Sequence, residues 1–158
     1  MRRETLFDLA SLTKVVSVTT LTLLLHESGK LDLGDRLQQH LSYSGNFPDV
    51  KIIDILTHTG GFIAEDRLWD RVEHPGQVID HILHSEPQGR PGEQVIYSCF
   101  GFIVLGQLLE TILGISLAQA SKDLVFKPLG MRRHVSWEGL LGMQDASLHS
   151  MISCYSLR

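Results

Sequence analysis

At 158 residues and a formal net charge of −4, the chain is the size of one domain and can bury roughly 70% of the surface its unfolded form exposes. Apolar residues make up 43% and charged residues 20%, the balance of a globular protein with no excess positive charge for holding phosphates, so no nucleic acid partner is expected. The pairs Arg2-Arg3 and Arg132-Arg133 are isolated and read as solvated ends, not as a binding stripe.

Met1-Arg2-Arg3 runs into Glu4, Thr5 and Asp8 in place of an apolar core, so no secretory leader is read there and the compartment stays open. A helix is predicted from Ser11 to Gly29, with Leu21, Leu24 and Leu25 at core-facing spacing and the glycine as its C-terminal stop. A short helix after Asp35, a loop from Ser42 to Pro48 and a helix from Val50 to Thr57 closed by Gly60-Gly61 follow. Two amphipathic helices over 66–73 and 77–84 are divided at His74-Pro75-Gly76, and proline and glycine make 87–93 a loop. An apolar helix over 98–113 ends at Gly114, and Ser116-Leu117-Ala118-Gln119 is a capping box opening a last helix that stops near Phe126, before Pro128 and Gly130. Strand signals are weak and confined to the two ends and to Val95-Ile96. The apolar stretches Val15 to Leu25 and Phe100 to Ile115 are broken by Ser, Thr, Gln and Glu and fall short of the ~20 residues a bilayer span requires, so no membrane span is expected. Cys99 and Cys154 form no C-x-x-C pair, and Cys99 reads as a small buried filler.

Chemistry concentrates at Ser11-Leu12-Thr13-Lys14. Residues at i and i+3 share a helix face, so the spacing brings the Ser11 hydroxyl and the Lys14 amine within hydrogen-bonding reach. A serine hydroxyl attacks only when a neighbouring base takes its proton, and a lysine serves as that base once burial or another cation lowers its pKa. Leu9, Ala10, Leu12, Val15 and Val16 are expected to supply the burial. A serine in the first turn of a helix also lies near the positive end of the helix dipole, which favours an attacking alkoxide.

The stretch Thr5-Leu6-Phe7-Asp8-Leu9-Ala10-Ser11-Leu12-Thr13-Lys14 is followed in order by Ile55-Leu56-Thr57-His58-Thr59-Gly60-Gly61, by Pro91-Gly92-Glu93-Gln94-Val95-Ile96-Tyr97-Ser98 and by Lys127-Pro128-Leu129-Gly130-Met131. These four segments resemble the serine β-lactamase-related family, which includes class C β-lactamases, penicillin-binding DD-peptidases, D-aminopeptidases and β-lactamase-like esterases. The resemblance is strongest over 5–131. It implies an α+β fold of the β-lactamase/transpeptidase type, with 1–158 as a single partial domain that supplies mainly the helices while much of the sheet is missing.

The resemblance also assigns roles. Ser11 is the acylated nucleophile, and Lys14 and Tyr97 are the pair that moves its proton. Tyr97-Ser98-Cys99 stands where the family has Tyr-x-Asn, so the tyrosine is present and Cys99 replaces the asparagine. The family's third motif, a Lys or His followed by Thr or Ser and Gly, is not found between Met131 and Arg158. His58-Thr59-Gly60 matches its letters but precedes Tyr97, so His58 is read as structural. His74, His81 and His84 offer no complete ligand set, and neither metal nor cofactor is expected. The function implied is a serine hydrolase of amide or ester bonds acting on a small molecule or a peptide: a β-lactam, a D-amino-acid peptide or a small ester. The alternative is a non-catalytic helical module of the same family, because its members draw an oxyanion-hole N–H from a later strand. Apolar faces of the Val15–Leu25 and Phe100–Leu113 helices, deprived of that sheet, are expected to promote self-association.

Overall fold

From Cys99 through Gly106 every residue is buried, and Leu108 and Leu109 join them, so α4 (Cys99–Leu113) is a helix wrapped on all sides. The computed structural model describes residues 9–64 and 72–131, and within them α4 is the axis on which the other helices pack. These are α1 (Lys14–Thr19 continuing as Thr20–Glu27), α2 (Ile52–Leu56), α3 (Val78–Leu83) and α5 (Leu117–Ala120 continuing as Ser121–Phe126). Single 3₁₀ turns at Leu37–Gln39 and Pro75–Gln77 precede α2 and α3. Of the expected helix over 66–73, residues 66–71 lie outside the described residues and Val72 and Glu73 are not helical; both arginine pairs, Cys154 and the strand signals at the chain ends also lie outside them.

The helix ends follow sequence chemistry. Ser98 caps α4 by accepting the Phe100 N–H at 3.1 Å, and Gly114 closes it in the left-handed region with φ +68°. Ser116 accepts the Gln119 N–H at 3.2 Å and opens α5. Gly29 ends α1 at φ +70°, where Lys30 N–H bonds Leu25 O and Gly29 N–H bonds His26 O, the paired bonds of a Schellman stop. Asp54 reaches back to the Lys51 N–H at 3.0 Å to start α2.

Two differences from expectation concern α1 and the sheet. The first half of α1 is wound as a π-helix over Lys14–Thr19, and the Thr20 hydroxyl donates to the Val15 carbonyl five residues back at 3.0 Å. Val95-Ile96 forms no strand; the Ile96 N–H bonds the His58 carbonyl at 2.8 Å within a loop. Among the described residues the only ladder contact is an isolated antiparallel bridge between Arg36 and Lys51.

Core packing sets loop positions as well as helices. Phe47 stacks on Phe62 with ring centroids 4.3 Å apart, and a Cβ on Gly101 would stand 3.1 Å from the Phe62 ring and 3.2 Å from Ile55, so the glycine lets α4 approach α2. Burial pushes the Tyr43 phenol up to about 12, and its hydroxyl donates to the Phe47 carbonyl at 2.7 Å. The expectation of uncovered apolar surface on both long helices divides at this point. In α4 only the last residues reach solvent, whereas Leu12 and Val15 are 59% and 60% exposed and Leu23 and Leu24 are exposed beside them. Among the described residues no single helix is long and apolar enough to cross a membrane.

Candidate active site

Ser11 sits in a tight turn and not inside α1. Leu12, Thr13 and Lys14 donate their N–H groups to Leu9, Ala10 and Ser11, each three residues back, which winds the chain into the helix. The turn needs Ala10 at φ +45°, a left-handed conformation that costs an alanine roughly 1–2 kcal/mol. Among the described residues only Ala10 and His58 are non-glycines with positive φ, and both adjoin this site.

Lys14 is buried, and its Nζ donates to the Ser11 hydroxyl at 3.2 Å. The same ammonium lies 5.1 Å from the centroid of the Tyr97 ring, a cation–π distance. All three residues assigned from sequence therefore converge, although Tyr97 is separated from Lys14 by the whole of α1, α2 and α3.

The source of the burial differs from expectation. Leu9, Leu12 and Val15 are exposed, and what covers Lys14 includes Cys99 and Tyr97 at the start of α4. Burial alone lowers the Lys14 pKa, but the Cys99 thiol and the Tyr97 phenol beside the amine outweigh it, and the pKa is raised above the ordinary lysine value. The lysine is thus a charged donor to Ser11 at rest, where a pKa lowered by its flanking apolar residues was expected.

Two neighbours join the site. Cys99, which the sequence reading puts in the Tyr-x-Asn motif in place of asparagine, is buried, free and beside Lys14. His58 packs its ring on Tyr97 with centroids 4.5 Å apart and on Phe102 at 5.0 Å. Spacing could not have announced either contact, because both depend on how the 87–97 loop docks. That docking is made by backbone: Gln88 N–H bonds Gly61 O, Gly92 N–H bonds Thr59 O, and Ile96 N–H bonds His58 O. A small cleft lined by Ile55, His58, Gly60, Phe62, Ile96, Ser98 and Gly101 lies next to Tyr97. Among the described residues no group of His, Cys, Asp and Glu is arranged to hold a metal ion.

The family model described as Beta-lactamase matches residues 1–143. The chain belongs to the β-lactamase family. A curated relative, "Putative D-alanyl-D-alanine carboxypeptidase" of Escherichia coli (strain K12), is 27% identical over 146 residues, covering 83% of this chain and 34% of that protein. The penicillin-binding protein from Bacillus halodurans superposes with a TM-score of 0.68 at 26% identity, over 82% of this chain and 44% of that one. A class C β-lactamase superposes with a TM-score of 0.74 at 25% identity, over 84% of this chain and 36% of that one. The chain spans about a third of the length of the curated relatives it matches. These neighbours have the β-lactamase/transpeptidase fold, and in this β-lactamase-family chain the described residues contribute helices to it.

Proposed function

We propose that the chain carries the nucleophile and the proton-transfer pair of a serine hydrolase acting on amide or ester bonds. Once Lys14 has lost its resting proton to solvent, Ser11 Oγ attacks the carbonyl carbon and its proton passes to the Lys14–Tyr97 pair. The proton then goes to the leaving amine or alkoxide, which departs and leaves an ester on Ser11. Water, giving its own proton to the pair, hydrolyses that ester and restores the hydroxyl. The observation that carries the reading is the 3.2 Å contact from Lys14 Nζ to Ser11 Oγ, made by an amine that also faces the Tyr97 ring. The substrate classes it fits are a β-lactam, a D-amino-acid peptide and a small ester, and 1–158 counts as one partial domain of the family architecture.

A non-catalytic module of the same family is the second reading, favoured by Cys99 in the asparagine position and by the exposed Leu12 and Val15 beside the site. Covalent labelling separates them. Under the hydrolase reading a fluorescent penicillin or a fluorophosphonate adds its mass to Ser11, and Ser11→Ala abolishes the adduct. An intact mass unchanged after long incubation with several acylating probes, on folded protein, leaves the module reading standing.

A further inference from the structure

The two peptide N–H groups that flank Tyr97 both bond to one residue. Ile96 N–H bonds the His58 carbonyl at 2.8 Å, and Ser98 N–H bonds His58 Nδ1 at 3.1 Å. Between these anchors the imidazole lies against the phenol ring, and its other neighbour, Phe102 of α4, fixes the ring from behind. His58 makes both contacts from a left-handed backbone, at φ +58°. From these contacts we infer that His58 is the positioning residue for Tyr97, a clamp that holds the phenol over Lys14 while Nδ1 is unprotonated and opens when Nδ1 takes a proton.

The chemistry of the clamp is one-directional. An unprotonated Nδ1 accepts the Ser98 N–H; a protonated one is itself a donor and repels it. The titratable groups that face His58 are Lys14 from α1 and Tyr97 from the loop before α4, while Ile55, Phe62 and Phe102 supply apolar walls. Burial and the positive charge of Lys14 both keep the imidazole neutral, lowering its pKa below the ordinary histidine value. The clamp is therefore closed at neutral pH and opens in acid. This inference deepens the hydrolase reading and rests on it for its catalytic consequence.

The test uses the full chain, with labelling by a fluorescent penicillin and the amide NMR shift of Ser98 both followed against pH. In the unmodified protein the labelling rate and the Ser98 shift should fall and move together, at one midpoint below about 6.5. His58→Asn places an oxygen near the position of Nδ1, tolerates the left-handed backbone and does not titrate. It should lose the acid limb of the labelling profile. His58→Ala should label at least ten-fold more slowly than the parent at neutral pH, with Ser11 and Lys14 intact, and should converge on the parent rate in acid, where the parent's clamp is open. A Ser98 shift that ignores the titration of His58, or an Asn variant that keeps the same acid limb, overturns the clamp. A chain that takes no label at any pH refutes the hydrolase reading instead, and the Ser98 shift then decides for or against the clamp by itself.

Discussion

Gly61 and Gly89 approach so closely that a Cβ on Gly61 would stand 2.4 Å from the Gly89 carbonyl oxygen, and Gly61 is also held at φ +76°. This contact seats the loop that delivers Tyr97, because the neighbouring Gln88 N–H bonds the Gly61 carbonyl at 2.9 Å. Gly61→Ala adds both the clash and a left-handed strain of roughly 1–2 kcal/mol. The variant should unfold at a lower temperature and take acyl label more slowly than the parent. Equal melting temperature and equal labelling would show that the loop is seated by something else.

Lys14→Ala should suppress labelling as completely as Ser11→Ala, and the double variant should be no worse, since nucleophile and base act as a unit. Tyr97→Phe keeps the ring contacts with Lys14 and His58 but loses the hydroxyl, so labelling should fall by about 10²–10⁴ with little change in stability. Stopped-flow or gel readout of the label checks all four proteins.

The pKa of Lys14 is raised, which gives a defined sign to the alkaline response. The folded state holds the proton more tightly than the unfolded chain, so this contribution to stability is complete below about 10.5 and is lost as pH rises through the higher folded value. The labelling rate should climb over the same alkaline range as Lys14 loses its proton. Denaturant melts and labelling at a series of pH values measure both. A rate that is flat from neutral pH to the onset of unfolding would exclude the Lys14–Tyr97 pair as the base.

Ser17 and Ser121 hydrogen-bond through their hydroxyls deep between α1 and α5, and both are buried. Ser121→Ala leaves the Ser17 hydroxyl without that partner and should cost about 1–3 kcal/mol, whereas the double variant Ser17→Ala with Ser121→Ala should recover much of the loss. A double-mutant cycle in urea measures the coupling. Additive losses would mean that the pair contributes no shared bond energy.

Leu12, Val15, Leu23 and Leu24 give α1 an apolar face open to solvent. The protein should bind a hydrophobic dye and scatter light as more than a monomer, and Val15→Lys with Leu23→Glu should reduce both signals. A monodisperse monomer without dye binding would show that this face is too dispersed to drive association.

Helix existence was legible in the sequence because each stop is local: Gly29 and Gly114 lie in the left-handed region, and Ser98 and Ser116 cap. The juxtaposition of Ser11 and Lys14 was legible for the same reason, being one turn long. The π winding of α1 was not; it accompanies the Thr20 hydroxyl bond to the Val15 carbonyl and the packing of the helix on α4 and α5, neither of which a local motif records. The charge state of Lys14 was misread because burial was sought in its sequence neighbours. Leu9, Ala10, Leu12 and Val15 are exposed, and the groups that govern the amine, Cys99 and Tyr97, come from more than eighty residues away. His58 reads as structural in the sequence because its contacts around Tyr97, two backbone N–H bonds and a ring pair, are recorded by no side-chain motif.

The buried bond between Ser17 and Ser121 also imposes a schedule on biosynthesis. Its partners are 104 positions apart, so at ~5–20 residues per second α1 waits about 5–20 s on the ribosome for the helix that closes over it. During that interval Val18, Leu21 and Leu25, which are buried in the finished protein, have no complete site to enter. A stall or stop codon before Ser121 leaves Ser11 and Lys14 on a helix that lacks its last support.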